Sequence, residues 1–343
     1  MSPQRICIFH VGLPKTGTSS IQAFLRRRTV ELLRLGIRFP APGPGVDRAL
    51  TLGRIPHENL LHHFYAVAHA PGPQLIHYDR AVAQSLRDPA DSILLLSHEM
   101  QALHGHEARA ERFASLRETH DIRFICYLRD PLRWLASFYE QAVSQPNRFR
   151  FEPARHFAVR AYLEKGFRGL MAPFRDLGAV ELHDFDSMRS GGGVVPHFLQ
   201  RIGADALVPA SRAAPRVNTH AFSPEQLTIM RQLKTQGVEA GLFLRARGLF
   251  EAFNATSPRT RSPVVMFAPD LCDAIGRQWQ EDRRALGREV AFAGPAPGIE
   301  APPYRDDPAV IEAMMAFLAT VPDAEAAAAI RRAVEAGVPL PME

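Results

Sequence analysis

Short apolar runs alternate with longer amphipathic segments along the first two thirds of the chain. Three runs, at residues 5–11, 92–97 and 122–128, have the length and composition of buried strands, and a fourth strand is predicted at 180–185. Runs without polar alternation are typical of parallel sheets, which are covered on both faces by helices. Strands that alternate with helices therefore predict an α/β protein with a three-layer α/β/α fold around a central parallel sheet.

The first helix is predicted soon after the first strand. Its apolar residues recur at helical spacing near one face, and they are Ile21, Phe24, Leu25, Leu32 and Leu33. We therefore expect one helix that buries these side chains and ends at Gly36, followed by a short strand at 37–39.

The last third of the chain has a different pattern, which is mostly helical. Apolar residues recur at helical spacing in three segments, at 223–235, 269–286 and 308–335. The sequence therefore predicts two parts. One is a core at residues 1–220, and the other is a helical C-terminal elaboration at residues 221–343 that packs on the core.

The composition excludes several classes of protein. The net charge of +5 comes without a basic tail, so a nucleic acid is not the expected partner, and an anionic small molecule fits as well. The chain has no apolar run of about 18 residues, hence no expected transmembrane segment, and no signal-like start, so we expect a cytoplasmic protein. The spacing of the cysteines and histidines predicts buried thiols and no metal site.

Lysine is nearly missing from this chain. The sequence has 38 arginines but three lysines, which are Lys15, Lys165 and Lys234. By composition alone, a given loop position holds a lysine in about one case in a hundred. Lys15 lies in a glycine-containing loop between the first strand and the first helix, where its presence is informative.

That loop has the spacing of a phosphate-binding loop. Four residues separate Gly12 from Gly17, and Thr18 then takes the position of the lysine in the GxxxxGK[ST] pattern. A strand–loop–helix of this kind directs backbone N–H groups and a helix N-terminus at one phosphate. The hydroxyls of Thr18 and Ser19 add donors, and the Lys15 ammonium can reach an oxygen that bridges the phosphate to a transferred group. The alternative is an ordinary glycine turn.

The segment from Pro14 to Ser19, PKTGTS, resembles the 5′-phosphosulfate-binding loop of sulfotransferases, whose pattern is close to PKxGT[ST]. The resemblance implies a P-loop fold and the co-substrate 3′-phosphoadenosine-5′-phosphosulfate (PAPS). It also implies that six residues hold the 5′-phosphosulfate, namely Pro14, Lys15, Thr16, Gly17, Thr18 and Ser19. Lys15 is then also a catalytic residue, because its ammonium stabilises the leaving phosphate.

A second nucleotide-binding element is predicted at the end of the strand at 122–128. Arg129 is followed eight residues later by Ser137, which resembles the 3′-phosphate site of the same family, with a frame close to RDPxxRxxSxY. The gap between the second arginine, Arg133, and the serine holds one residue more than in that frame, Ala136. A 3′-phosphate carries about two charges, for which a guanidinium and a hydroxyl are suitable donors. Asp130 and Pro131 predict the N-cap and first position of the helix that carries Ser137.

The acceptor needs a general base, and two candidates follow the strand at 92–97. Ser97, His98 and Glu99 resemble a Ser-x-Glu sequence that many bacterial sulfotransferases carry at such a strand end. Glu99 is the first candidate, and His98 competes with it because imidazole has a suitable pKa. A salt bridge of Glu99 and a packed His98 ring are the structural alternatives.

These elements predict sulfuryl transfer from PAPS to a hydroxyl or amine, without a required metal. A glycan or small-molecule acceptor is expected, since the resemblance extends to bacterial enzymes that sulfate cell-surface carbohydrate. Two other functions remain open. One is a P-loop kinase or NTPase with a divergent phosphate loop, in which Glu99 lies near Mg²⁺, and the other is a non-catalytic nucleotide-binding module. The sequence leaves the oligomeric state open.

Overall fold

The computed structural model describes residues 5–40, 92–97, 110–146, 153–190, 192–208, 222–256, 267–292 and 308–336. The strands in these ranges are β1 (Arg5–Gly12), β2 (Ile37–Arg38), β3 (Ile93–Ser97), β4 (His120–Leu128) and β5 (Ala179–Asp184). They form one five-stranded sheet in the order β2-β3-β1-β4-β5, and every neighbouring pair is parallel. The predicted strands and their parallel arrangement are confirmed.

The helices of the described residues follow in chain order. Their bounds are α1 (Thr18–Arg27), α2 (Thr29–Arg34), α3 (Ala110–Arg117), α4 (Pro131–Ser144), α5 (Ala154–Ala158), α6 (Gly166–Arg175), α7 (Phe185–Ser190), α8 (Val194–Arg201), α9 (Pro224–Thr235), α10 (Ala240–Thr256), α11 (Pro269–Leu286), α12 (Pro308–Leu318) and α13 (Ala324–Glu335). A π-helical turn at Val159–Leu163 follows α5, and a 3₁₀ turn at Asp205–Leu207 follows α8.

The chain divides into two compact units that are built from alternating segments. The first unit contains the sheet and consists of Met1–Arg129, Phe167–Val217 and Asp282–Gly294. The second unit consists of Asp130–Gly166, Asn218–Glu281 and Pro295–Glu343. These boundaries do not coincide with the predicted segments 1–220 and 221–343, and the packing of a C-terminal elaboration on the core stays a prediction.

Both faces of the sheet are covered within the first unit, because successive side chains of a strand point to opposite faces. One face packs on α1 and α8 through a buried cluster that includes Ile8, Tyr127, Ile21, Leu25 and Phe198. The other face packs on α3 and α6 through an aromatic cluster of Phe9, Phe124, Phe113 and Phe174. The predicted three-layer α/β/α fold is therefore confirmed.

The helix after β1 differs from the prediction, since it is two helices. Arg28 lies between α1 and α2 with φ −119° and ψ 22°, which interrupts the helical phase. Leu32 is fully buried, whereas Leu33 is 47% exposed. The prediction that both leucines lie on the buried face is therefore wrong for Leu33.

Packing among α9, α10 and α13 builds part of the second unit. Ser223 and Gln226 form a reciprocal capping box at the start of α9. Gln226 also donates to Asn254 Oδ1 at 3.1 Å and accepts from Asn254 Nδ2 at 3.0 Å. These paired amides join the start of α9 to α10.

The helices predicted in the last third are confirmed in part. The segments 223–235 and 269–286 match α9 and α11, but the segment 308–335 is two helices rather than one. Pro322 lies between them, and proline cannot continue a helix from the preceding turn. The sequence pattern missed α10 (Ala240–Thr256), whose apolar residues are too frequent to mark one face.

The described helices include none that is both long and apolar enough to cross a lipid bilayer. Cys7, Cys126 and Cys272 are all buried and form no disulfide, as their apolar neighbours predict. Burial raises the pKa of the Cys272 thiol to about 11, so this thiol is protonated at neutral pH.

Candidate functional site

Three neighbouring strands of the first unit end at the same edge of the sheet. β1 ends at Gly12, β4 at Leu128 and β5 at Asp184, and β4 lies between the other two strands. Because the strands are parallel, the residues that follow them meet at the carboxyl edge, where α/β proteins bind ligands. The loop after β1, the residue after β4 and the first turn of α7 are therefore neighbours.

The loop between β1 and α1 leaves no room for a side chain at position 17. Gly17 has φ +83°, and a Cβ placed on it meets the Val194 side chain at 2.6 Å and the Phe185 ring at 3.3 Å. Lys15 also has a left-handed backbone, with φ +65°. Left-handed residues curl a short loop and turn its N–H groups toward one concave side, which suits an anion.

Hydrogen bonds fix the base of this loop. The Thr16 hydroxyl donates to the Leu13 carbonyl oxygen at 2.6 Å, and the Leu13 N–H donates to the Tyr127 carbonyl oxygen of β4 at 3.2 Å. Leu13 and Thr16 are fully buried. The Thr16 hydroxyl therefore maintains the shape of the loop, and the place of Thr16 among the ligand-binding residues stays a prediction.

α1 begins directly after the loop. The N-cap residue of α1 is Gly17, which has no side chain that could accept a first-turn N–H group. The helix dipole adds positive potential at this end. Pro14 and Thr18 are buried, whereas Lys15, Gly17 and Ser19 are partly exposed.

The guanidinium of Arg129 lies against this loop. Its Nη1 donates to the Lys15 carbonyl oxygen at 3.3 Å, its Cζ lies 5.6 Å from the centre of the Phe185 ring, and its Nε lies 4.0 Å from Asp186 Oδ1. The Arg129 side chain is 16% exposed, so solvent screens its charge only weakly. Two predicted site residues, Lys15 and Arg129, are thus adjacent in the first unit.

Asp184 holds the first turn of α7 in place beside Arg129. Its Oδ1 accepts the N–H of Asp186 at 3.4 Å, and its Oδ2 accepts the N–H of Ser187 at 3.2 Å together with the Ser187 hydroxyl. A carboxylate that accepts these N–H groups caps the start of a helix. Phe185 and Asp186 are therefore fixed at the end of β5.

Phe185 and Asp186 are site residues that sequence analysis missed. The pattern at 180–185 placed Phe185 inside a strand, but β5 ends one residue earlier, at Asp184. No motif marks either residue. The sequence feature that could have indicated them is their position directly after a predicted parallel strand, because Arg129 and the loop of Lys15 also follow parallel strands directly.

Ser137 lies on α4, which belongs to the second unit. Asp130 caps this helix by accepting the Arg133 N–H at 3.0 Å, and Pro131 is its first residue, which confirms the predicted start. Ser137 is partly exposed. Because Arg129 belongs to the first unit, the pairing of Arg129 with Ser137 at a 3′-phosphate stays a prediction.

The candidate bases His98 and Glu99 lie outside the described residues, so both roles stay predictions. The preceding residue, Ser97, is fully buried at the end of β3. Its hydroxyl lies 2.8 Å from His10 Nδ1 and accepts from Gln22 Nε2 at 3.2 Å. These contacts connect the end of β3 to β1 and α1.

His10 is a further residue that sequence analysis missed. It is fully buried in β1, and its ring lies 5.1 Å from the Phe198 ring. Burial lowers the pKa of His10 to about 3, so the imidazole is neutral at neutral pH. A lone histidine in an apolar strand, two residues before Gly12, was the available signal.

In the part of the chain that the structure describes, no three His, Cys, Asp or Glu side chains form a group able to hold a metal ion. No family model matches the sequence, and no curated protein or solved structure matches the chain. The function is therefore inferred from the residues and their geometry.

Proposed function

We propose that this protein is a PAPS-dependent sulfotransferase, which moves a sulfuryl group from PAPS to a hydroxyl or amine. One observation carries the proposal, namely that Arg129 Nη1 lies 3.3 Å from the Lys15 carbonyl oxygen. A cation at the end of β4 is therefore within reach of a ligand held by the phosphate loop. PAPS has two anionic ends, and Lys15 and Arg129 supply one cation for each.

The reaction forms one S–O bond and breaks another. The acceptor oxygen attacks the sulfur while its proton passes to a base, for which Glu99 is proposed and His98 is the competitor. The bond between sulfur and the bridging oxygen breaks and releases adenosine 3′,5′-bisphosphate. Charge then develops on the 5′-phosphate, where the Lys15 ammonium and the N–H groups of the loop stabilise it. A sulfuryl group carries less charge than a phosphoryl group, so the transfer does not require a metal.

Arg129 is the residue that separates this proposal from a kinase or NTPase, because ATP and GTP have no 3′-phosphate. The carboxylate of Asp186 lies 4.0 Å from Arg129 Nε, beyond hydrogen-bonding distance. A dianionic phosphate at hydrogen-bonding distance is a stronger partner for a guanidinium than this carboxylate. The 3′-phosphate is therefore expected to supply much of the binding free energy.

Calorimetry with adenosine 3′,5′-bisphosphate and with ADP tests the proposal without knowledge of the acceptor. We expect the bisphosphate to bind at least about tenfold more tightly than ADP. Arg129→Ala should remove most of this difference. Arg123→Ala is the matched control, since Arg123 lies on β4, the strand that Arg129 follows, but forms an ion pair with Asp121 and is 43% exposed. Equal affinities of the native protein for the two nucleotides, or binding of Mg-ATP alone, would contradict the proposal.

The choice of base is tested by Glu99→Gln and His98→Asn, which remove each titratable group and leave a polar amide in its place. Glu99→Gln should bind adenosine 3′,5′-bisphosphate normally and lose transfer from radiolabelled PAPS. Normal turnover of Glu99→Gln together with loss in His98→Asn would assign the role to His98. We propose a carbohydrate as acceptor, which the resemblance of the phosphate loop supports, and the cytoplasm as location.

A further inference from the structure

A group of exposed apolar side chains lies beyond the end of α1 that is remote from the phosphate loop. Val30, Leu33 and Leu35 are 59%, 47% and 42% exposed. Among the described residues, Leu244 is the one other exposed large hydrophobic side chain. Single exposed apolar residues are ordinary, but these three lie within six positions of one short segment, a concentration that is typical of an interaction surface. We call this segment's exposed apolar side chains the patch.

The helix α2 presents Val30 and Leu33 on one side, and Leu35 follows as its C-cap residue. Val30, Leu33 and Arg34 fall within about 100° of the helix circumference. Leu32 points away from them and is fully buried in the core of the first unit. The helix is therefore fixed to the core by one side and leaves an apolar side, edged by an arginine, in solvent.

The surroundings of the patch are strongly basic. Residues 26–35 contain four arginines and one glutamate, a net charge of +3. Glu31 is bonded to Arg28 at 2.7 Å, and Arg27 and Arg34 are exposed on either side of it in sequence. We call Arg27, Val30, Leu33, Arg34 and Leu35 the apolar–basic surface.

We propose that the apolar–basic surface binds the face of an anionic lipid bilayer. Val30, Leu33 and Leu35 enter the boundary between headgroups and acyl chains, and Arg27 and Arg34 bind anionic headgroups. An anionic bilayer binds exposed aliphatic side chains that are flanked by arginines, because it offers both an apolar interior and negative headgroups. This binding is independent of the proposed function.

A bilayer fits this surface better than a protein partner does. A stable protein interface buries about 800 Å² on each side, which is far more than three aliphatic side chains offer. A second copy of this chain would also bring its own arginines to the same patch, and like charges would oppose symmetric pairing. A bilayer supplies many anionic groups to a small surface, and the net charge of +5 of the whole chain favours its approach.

The apolar–basic surface is remote from the candidate nucleotide site. α1 has ten residues, so its two ends are about 15 Å apart. It begins at the carboxyl edge of the sheet and returns toward the opposite edge, where α2 follows. Binding to a bilayer should therefore leave the nucleotide site open, and adenosine 3′,5′-bisphosphate should not change vesicle binding.

Co-sedimentation of the full chain with vesicles tests the proposal. The native protein should bind vesicles of equimolar phosphatidylglycerol and phosphatidylcholine at low salt, bind phosphatidylcholine vesicles weakly, and dissociate at high salt. Val30→Ser with Leu33→Ser, and separately Arg27→Gln with Arg34→Gln, should each weaken binding at least about tenfold. Leu244→Ser, the matched control at another exposed leucine, should bind as the native protein does.

Thermal unfolding of the same variants shows whether they remain folded, and light scattering shows whether they dimerise. Both double variants should unfold at the native temperature, because the replaced side chains are exposed. If the native protein does not sediment with the anionic vesicles, or if both double variants bind as tightly as it does, the proposal is overturned. A dimer that Val30→Ser with Leu33→Ser dissociates, with vesicle binding unchanged, would overturn it too and assign the patch to a second copy.

Discussion

The two ends of α1 differ in how completely the surrounding residues are packed. At the N-terminal end, Thr16 and Leu13 are buried and hydrogen-bonded, and Gly17 has no space for a Cβ. Beyond the C-terminal end, Val30 and Leu33 stand in solvent. Dense packing is therefore concentrated at the loop that we propose to hold an anion, whereas the surface that we propose to meet a bilayer leaves its side chains exposed.

Replacement of Lys15 should have the largest effect on activity. Lys15→Ala should lower sulfate transfer by about a thousandfold, because it removes the cation expected at the leaving phosphate. The control is Lys165→Ala, since Lys165 is exposed and lies far from the loop in sequence. A transfer assay with radiolabelled PAPS measures both. A Lys15→Ala enzyme within tenfold of the native rate would remove Lys15 from the catalytic role.

Gly17 precedes α1 and Gly36 follows α2, so substitutions at these two glycines compare how tightly each end of this helical segment is packed. Both have left-handed backbones, with φ +83° and +74°, but a Cβ on Gly36 meets its nearest neighbour, Ser92 Oγ, at an ordinary 3.5 Å. Gly36→Ala should therefore cost about 1–2 kcal/mol of unfolding free energy from backbone strain alone. Gly17→Ala adds overpacking and should cost about 1–3 kcal/mol more. Urea unfolding measures both, and equal losses would show that the loop is not tightly packed.

An effect that is absent at neutral pH and grows as the pH falls is expected from His10, which is linked through Ser97 to Gln22 in the middle of α1. The pKa of His10 is lowered from 6.5 to about 3 by burial, so folding requires the neutral ring. The contribution of the neutral His10 ring to the free energy of unfolding is therefore at its maximum above pH 6.5. As the pH falls from 6.5 toward 3, that contribution is lost by about 1.4 kcal/mol per pH unit.

His10→Gln keeps a polar side chain near Ser97 and removes this titration. Urea unfolding between pH 6.5 and 4 should therefore show a shallower loss of stability in the variant. Burial also lowers the pKa values of His120 and His183 to about 4, and their share of the pH dependence should remain. An unchanged slope in His10→Gln would show that the ring is protonated in the folded protein.

The sequence predicted those parts of the fold that depend on local spacing. The loop between β1 and α1 follows from the interval between Gly12 and Gly17, and the start of α4 follows from Asp130 and Pro131. The exposure of Leu33 could not be predicted, because the break at Arg28 involves neither proline nor glycine. Helical periodicity alone continues through that residue.

The contacts of Arg129 could not be predicted from the sequence either. Its motif predicts a cation at a strand end, but its neighbours Phe185 and Asp186 both lie in the first turn of α7, more than fifty residues later in the chain. Such contacts depend on strand order, which spacing along one segment does not encode. The roles of Ser137 and Glu99 remain predictions from resemblance.

The central claim is that one nucleotide joins the loop of Lys15 to the guanidinium of Arg129. Phosphorus NMR of bound adenosine 3′,5′-bisphosphate resolves its two phosphates and tests this claim most directly. Arg129→Lys should move the 3′-phosphate resonance and leave the 5′-phosphate resonance in place, and Lys15→Arg should do the reverse. If the Arg129 variant leaves both resonances unchanged, Arg129 does not bind the 3′-phosphate and the account is contradicted.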